Sequence, residues 1–168
     1  QGIKWLEYLD IEFAKLYFEG ILKCLKKDQT APLVWQKLMN NRSLFGISKI
    51  QFAALGLNAH INRDLMLAII RAFEKTGGEP KNATPEHAQY RYINKILDKV
   101  EVEALEQMAT GPIKSICNAI APLDRFLIMQ SVTLGRSVAW RNSKICWRLR
   151  NNPKLQQAYV NSADQGSA

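Results

Sequence analysis

The segment Asn58-Ala59-His60-Ile61-Asn62-Arg63-Asp64 places five polar side chains between two hydrophobic runs, 50–57 and 65–70. Burying amides, an imidazole and a carboxylate costs free energy unless each group finds a hydrogen-bond partner. Such a segment either links a core through hydrogen bonds or lines a site. An imidazole beside a carboxylate is the arrangement of a general acid–base pair, because the carboxylate fixes the imidazole tautomer and raises its basicity.

On an ideal helix, with about 100° between successive residues, these side chains separate into two pairs. Asn58 and Asn62 lie one turn apart on an apolar face, and His60 and Asp64 lie one turn apart on the opposite side. We interpret His60 and Asp64 as a candidate catalytic pair and the two asparagines as candidate ligand-binding groups. A structural interpretation stays open for both pairs. Buried amides can fix helix register, and a His–Asp pair can be a surface contact of little energetic value.

The spacing of His60 and Asp64 also permits a shared metal ion, although a metal site needs three or four ligands. His87 is the other histidine of the chain, and the set His60, Asp64 and His87 would serve a metal-dependent hydrolase. A phosphate loop, a nucleophile elbow and a dinucleotide fingerprint are missing from the sequence. Our first interpretation therefore includes neither a metal nor another cofactor.

A second group of residues lies in the last long hydrophobic stretch. On helical geometry, Arg136 shares one apolar face with aromatic and small side chains. An arginine among tryptophans is more often a structural cation–π or carboxylate partner than an anion clamp. We expect Arg136 to be the buried partner of Asp64 if their helices pack, and otherwise to bind an anionic small molecule. The residues that share its face are Met129, Trp140, Ser143 and Trp147.

Helices must position these groups, and the chain is predicted to be helical throughout. Hydrophobic residues recur at three- and four-residue spacing, without sustained alternation or a hairpin signal. Pro32, Ser48 and Thr84 mark helix starts, and Gly77-Gly78 marks an end. The predicted helices span about 3–27, 32–41, 48–75 and 84–108, then a short helix before Pro122, then about 124–151. The prediction is an all-α, single-domain bundle of six or seven helices at 3–160, with a flexible tail at 161–168.

Length and composition are those of a globular protein with a core, since the chain has 168 residues of which 47% are apolar. Apolar runs fall short of the roughly 20 residues that span a bilayer. The acidic N-terminal stretch, with Glu7 and Asp10, is not the core of a signal peptide. The cysteines are far apart, lack a CxxC pattern and indicate free thiols in a reducing compartment, so we expect a cytoplasmic protein. They are Cys24, Cys117 and Cys146.

The net charge of +8 arises largely in the C-terminal third. A basic helix can bind an acidic protein, an anionic lipid or nucleic acid, or it can be a solvated face. The sequence lacks the pattern of a helix-turn-helix reading head, so nucleic acid is not an expected partner. Non-catalytic binding through this helix is the alternative to an enzyme. The basic residues are Arg136, Arg141, Lys144, Arg148, Arg150 and Lys154.

Four motifs follow one another along the chain: Leu9 to Phe18, N-A-H-I-N-x-D-L from Asn58, Tyr92 to Leu97, and R-x-x-A-W from Arg136. In this order they resemble the bacterial proteins of domain-of-unknown-function family 5995, over most of the chain. N-A-H-I-N-x-D-L is specific, whereas the other three motifs are weak individually. Members often carry an acidic residue where this chain has Gln89, so an activity that needs that acid would be lost or altered here.

The resemblance implies an all-helical fold, adds Asn94 to the candidate residues and implies no activity. The density of hydrogen-bonding side chains on an otherwise apolar helix, by contrast, favours an enzyme that processes a small molecule in a helix-lined pocket. His60 would be the acid or base, and Asp64 would orient it. The candidate ligand-binding residues are Asn58, Asn62, Asn94, Arg136 and Trp140. Substrate, reaction type and oligomeric state stay open.

Overall fold

The computed structural model describes residues 2–43, 49–108 and 132–167, in which the regular elements are all helical. The predicted all-α fold is thus confirmed. The helices α3 and α4 continue each other through a π-helical turn, so the described residues form six helical rods. The bounds are α1 Gly2–Leu25, α2 Leu33–Asn40, α3 Lys49–Ala59, π-helix His60–Asp64, α4 Leu65–Thr76, α5 Pro85–Met108, α6 at 132–148 and α7 Pro153–Ser167.

The core forms around α4, which is buried on two faces. One face carries Leu65, Ile69 and Phe73 and packs against α1, α5 and α6. The other face carries Met66 and Ile70, which pack against α6 and α7. Burial on both faces fixes the rotation of α4 and of the π-helical turn that precedes it. In α3, by contrast, Leu55 and Leu57 are exposed, so burial on two faces is a property of α4 and not of the whole rod.

Two of the predicted helix boundaries follow from local chemistry. The helix α4 ends where Gly77 adopts φ +81° and donates its N–H to the Phe73 carbonyl, at 2.9 Å. The helix α5 begins at Pro85, and the Thr84 hydroxyl accepts the N–H of His87 at 3.2 Å. Ser48, the short helix before Pro122, Cys117 and Met129 lie outside the described residues.

The C-terminal region differs from the prediction because Pro153 begins a helix as well as following one. Asn152 caps α7 by accepting the Leu155 N–H at 3.2 Å, and Pro153 takes the first helical position. The expected tail at 161–168 is helical through Ser167. Its stabilising contacts come from other helices, which a local pattern does not reveal. Across the described ranges, no helix is both long and apolar enough to cross a membrane.

Candidate functional site at the π-helical turn

The motif residues His60–Asp64 form a π-helical turn within the rod that joins α3 and α4. The Leu65 N–H donates to the His60 carbonyl, five residues back instead of four. The uniform α-helix predicted through the motif is therefore wrong at this point. The two predicted pairs nevertheless form: Asn62 Nδ2 donates to Asn58 Oδ1 at 2.8 Å, and His60 Nδ1 lies 2.9 Å from Asp64 Oδ2. Turns of this kind are frequent at functional sites.

Asp64 is completely buried, with 0% of its surface exposed. Its Oδ2 accepts hydrogen bonds from Trp35 Nε1 at 3.0 Å and from His60 Nδ1 at 2.9 Å. Its Oδ1 accepts one from the guanidinium of Arg63. A carboxylate can be buried when several donors replace its water, and here an indole, an imidazole and a guanidinium do so. The interpretation of His60 and Asp64 as a surface contact is therefore wrong.

The imidazole of His60 is fixed by aromatic neighbours as well as by Asp64. Its ring stacks on Phe13 with centroids 3.6 Å apart and planes 3° from parallel. The Tyr17 ring packs against it in an edge-on arrangement, with centroids 5.2 Å apart. Because an ionised carboxylate only accepts, Nδ1 is the donor in this bond, and in a neutral imidazole Nε2 is then left as the acceptor. The His60 side chain is 14% exposed, so a small part of it is open to solvent.

Two glycines allow the neighbouring helices to approach this network. A Cβ at position 20 of α1 would lie 2.6 Å from Trp35 Cδ1. A Cβ at position 135 of α6 would lie 2.9 Å from Ile61 Cγ2 and 3.1 Å from Asn62 Oδ1. The distances of 2.6 Å and 2.9 Å are shorter than a Cβ contact allows, so this packing requires glycine at both positions. The sequence interpretation missed Gly20 and Gly135, because their role depends on which helix lies opposite.

The asparagine pair is more exposed than predicted. Asn58 is exposed and Asn62 is half-buried, and their side chains bond to each other. The structural interpretation of the two asparagines as buried amides that fix helix register is therefore not what the structure has. Their use in ligand binding stays a prediction.

Arg136 does not pair with Asp64, which corrects the expected contact. Its Nε donates to Asn94 Oδ1 at 2.5 Å, and its Nη2 donates to the Tyr90 carbonyl at 3.0 Å. The guanidinium lies 4.3 Å from the centre of the Tyr90 ring, and the Tyr90 hydroxyl donates to the Arg136 carbonyl at 2.7 Å. Arg136 thus joins α6 to α5, and the donors at Asp64 come from Trp35 and Arg63 instead.

Burial shapes the electrostatics of this second network. Burial raises the pKa of the Tyr90 hydroxyl and of the Asp10 carboxyl, in each case opposed by the positive charge of Arg136. Burial also lowers the pKa of Arg136, an effect that Tyr90 and Asp10 oppose. Within the described ranges, no carboxylate forms an ion pair with Arg136. Its nearest partners are therefore an amide, a carbonyl and an aromatic face.

Trp140 and His87 form a third group, away from His60. Trp140 Nε1 donates to Asn82 Oδ1 at 3.1 Å. The Trp140 ring stacks on the imidazole of His87, with ring centroids 4.8 Å apart. His87 Nδ1 accepts the Ala83 N–H at 3.3 Å. Burial lowers the pKa of His87, and the positive charges of Arg91 and Lys144 lower it further. In the part of the chain that is described, no three metal-binding side chains cluster, so the metal hypothesis lacks its third ligand.

The predicted basic surface lacks Arg136, which is buried. Lys144 is half-buried and donates to Asn82, and Arg150 is exposed but lies over the Trp147 ring and donates to its carbonyl. Arg141, Arg148 and Lys154 are also exposed. Binding of an acidic partner through the remaining exposed residues stays a prediction.

A cleft of about 480 Å³ lies elsewhere on the described part of the chain, and none of the predicted site residues lines it. Its lining residues are Trp5, Phe73, Thr76, Gly77, Gly78, Glu79, Lys81, Thr84 and Glu86.

Fold and site together define an all-helical protein in which a π-helical turn carries a buried carboxylate bonded to an imidazole, an indole and a guanidinium. The chain belongs to the Family of unknown function (DUF5995), whose family model matches residues 2–168. The resemblance inferred from the motifs is thus confirmed at the level of the family. Comparisons with curated proteins and with solved structures found no significant match.

Proposed function

We propose that this protein is an enzyme that processes a small organic molecule, with His60 as its general acid–base and Asp64 as the residue that orients it. One observation carries the proposal: a fully buried carboxylate binds Nδ1 of a partly exposed imidazole at 2.9 Å. That bond selects the tautomer with a proton on Nδ1 and leaves Nε2 to accept a proton from a substrate or a water molecule.

The surroundings of the pair support preorganisation. Trp35 and Arg63 donate to the same carboxylate, so Asp64 is held without help from His60. Phe13 covers one face of the imidazole and limits its rotation. When Nε2 takes a proton, the resulting positive charge lies beside the Asp64 carboxylate, which stabilises it without moving. A site in which supporting groups fix the reacting group avoids reorganisation during the reaction.

The ligand class differs from the first expectation. An anionic ligand was inferred from Arg136, but that side chain is bound to Asn94 and Tyr90 on another face of the bundle. His60 contacts one carboxylate, Asp64, which pairs with the Arg63 guanidinium, and Arg63 in turn pairs with a second carboxylate, Asp164. This balance of charge does not favour an anion, so we propose a neutral or cationic substrate. We keep the cytoplasm as its expected location.

Access to Nε2 is the first test. Diethyl pyrocarbonate acylates unprotonated imidazole nitrogens, and the chain has two histidines, so peptide mass spectrometry separates His60 from His87. We expect His60 to be acylated in the folded protein at pH 7. A folded protein whose His60 stays unmodified, while denaturation makes it reactive, would show that substrate has no path to Nε2.

Turnover is the second test. The wild type, His60→Gln, Asp64→Asn and the control His87→Gln are incubated with panels of neutral and cationic esters, amides and carbonyl compounds, and substrate loss is followed by mass spectrometry. Removal of a general acid–base typically lowers rate by about 10²–10⁴-fold. We expect that loss in His60→Gln and not in His87→Gln, with circular dichroism showing both folded. Equal turnover by wild type and His60→Gln would remove His60 from the mechanism.

A further inference from the structure

Asp164, near the end of α7, supplies the cap of a helix that is distant in the sequence. Its Oδ2 accepts the Leu33 N–H at 2.8 Å, and its Oδ1 accepts the Val34 N–H at 3.2 Å. The residue before α2 is Pro32, whose side chain makes no capping bond. The first N–H groups of a helix need acceptors, and a carboxylate there also interacts favourably with the helix dipole. Asp164 therefore fixes the beginning of α2.

The same carboxylate also contacts Arg63 of the π-helical turn. Arg63 Nε lies 3.4 Å from Asp164 Oδ1, an ion pair, while Nη1 of the same guanidinium donates to Asp64 Oδ1. Both side chains are largely shielded from water, with 13% and 14% of their surfaces exposed. Arg63 thus lies between two carboxylates: it is hydrogen-bonded to Asp64, and it forms an ion pair without a hydrogen bond with Asp164.

Both groups that Asp164 contacts, the start of α2 and the side chain of Arg63, are connected to Asp64. The helix α2 carries Trp35 in its first turn, and the indole of Trp35 donates to Asp64 Oδ2 at 3.0 Å. Arg63 donates to the other oxygen of the same carboxylate. Two of the three side chains that bind Asp64 are therefore held by Asp164, one through the start of α2 and one through the ion pair. The third is His60 itself.

We propose that Asp164 is a positioning residue for the His60–Asp64 pair, and that docking of α7 sets the orientation of the imidazole. The catalytic meaning of this role rests on the proposed function, whereas the positioning can be measured without a substrate. Loss of Asp164 frees the start of α2 and one side of Arg63. The Asp64 carboxylate then loses its fixed geometry, and the imidazole loses its single tautomer.

The experiment uses the full chain labelled with ¹⁵N and reads two signals by NMR. The first is the exchange rate of the Trp35 indole N–H, assigned with Trp35→Phe. The second is the tautomer of His60 from the ¹⁵N shifts of its ring, assigned with His60→Gln. In the wild type we expect a slowly exchanging indole and the tautomer protonated on Nδ1.

Asp164→Ala should speed indole exchange by about tenfold, as expected for loss of a helix cap, and mix the His60 tautomers. Asn161→Ala is the first control, because this exposed residue of α7 bonds to Gln157 within its own helix. Val160→Ala is the second control, because it weakens the packing of α7 without touching the network. Unchanged signals in Asp164→Ala, or equal changes in Val160→Ala at matched stability, would overturn the proposal.

If Asp164→Ala does not fold, Asp164→Asn decides, because the amide keeps an acceptor for α2 and loses the charge that faces Arg63. The proposal requires faster indole exchange in Asp164→Asn than in Val160→Ala, and equal or slower exchange overturns it.

The proposed function and the proposed role of Asp164 can fail independently. Altered NMR signals with undiminished turnover in His60→Gln reject the proposed function alone. Unaltered signals with turnover that depends on His60 reject the role of Asp164 alone.

Discussion

Gly20 of α1 lies directly against the indole ring of Trp35, at a distance that no side chain at position 20 would allow. That indole is a donor to the buried Asp64 carboxylate, so the absence of a Cβ in α1 determines where one of the Asp64 partners lies. Three helical segments thus meet at a single hydrogen bond: α1 permits the indole position, α2 carries the ring, and the π-helical turn carries the acceptor.

Gly20→Ala is expected to destabilise the protein even though alanine favours helices. The added methyl would meet Cδ1 of Trp35 at 2.6 Å, and overpacking of this kind costs about 1–3 kcal/mol, partly offset by about 0.5–1 kcal/mol of helix propensity. Urea denaturation measures the change. Gly56→Ala is the matched control, because its methyl would find Leu38 at an ordinary 3.5 Å. Equal stability of the two variants would contradict the close contact.

Asp64→Ala is expected to lower the free energy of unfolding by about 3–5 kcal/mol, because it leaves the Arg63 guanidinium and the Trp35 indole buried without their acceptor. The comparison is Asp28→Ala, which removes an exposed carboxylate that caps the Thr30 N–H and should therefore cost much less stability. Urea denaturation of both variants separates the two cases. A loss for Asp64→Ala no larger than that for Asp28→Ala would mean that the network adds little stability.

Variants of Asn94 test the hydrogen bond with which Arg136 of α6 binds α5. Asn94→Ala removes the acceptor of Arg136 Nε and should cost about 1–3 kcal/mol, since a buried donor is then left unsatisfied. Asn94→Asp keeps an oxygen at the same position and adds an opposite charge, which strengthens the bond. We therefore expect Asn94→Asp to be clearly more stable than Asn94→Ala in thermal denaturation at pH 7. The reverse order would show that Arg136 does not depend on this acceptor.

Tyr90 should make stability depend on alkaline pH. Burial raises its pKa in the folded protein above the ordinary 10.0, so the folded state keeps the proton that the unfolded state loses. The stability that the protonated Tyr90 side chain contributes is complete below pH 10. It is lost as the pH rises from there toward the pKa of Tyr90 in the folded protein. Tyr90→Phe should therefore lose less stability than the wild type between pH 8 and pH 11, although it starts lower by about 1 kcal/mol without the hydroxyl bond to Arg136.

The control for this pH dependence is Tyr92→Phe, since Tyr92 lies in the same helix and is 61% exposed. Urea midpoints at the two pH values are measured for all three proteins. An identical alkaline loss in Tyr90→Phe and wild type would show that Tyr90 titrates as freely in the folded state as in the unfolded state.

Local signals in the sequence were sufficient for the described helices before α7 and for the pairs within the motif, but they did not predict α7. Apolar spacing predicts a helix, Gly77 ends one by its positive φ, and side chains four residues apart meet, as His60 and Asp64 do. The π-helical turn escaped this reasoning, because a uniform period has no place for an extra residue. The extra residue rotates the side chains of α4 relative to those of α3. The hydrogen bonds between side chains four residues apart in the motif still form.

The partners of the candidate pair were decided by tertiary structure alone. Arg136 was the expected cation for Asp64 because both are polar groups on apolar helices, yet its hydrogen bonds go to α5. The actual partners, Trp35 and Arg63, depend on how α1, α2 and α7 pack around the turn. Asp164 and Leu33 are 131 positions apart, and no local period relates them. The types and spacing of the residues therefore determined which groups can do chemistry, while helix packing determined which of them meet.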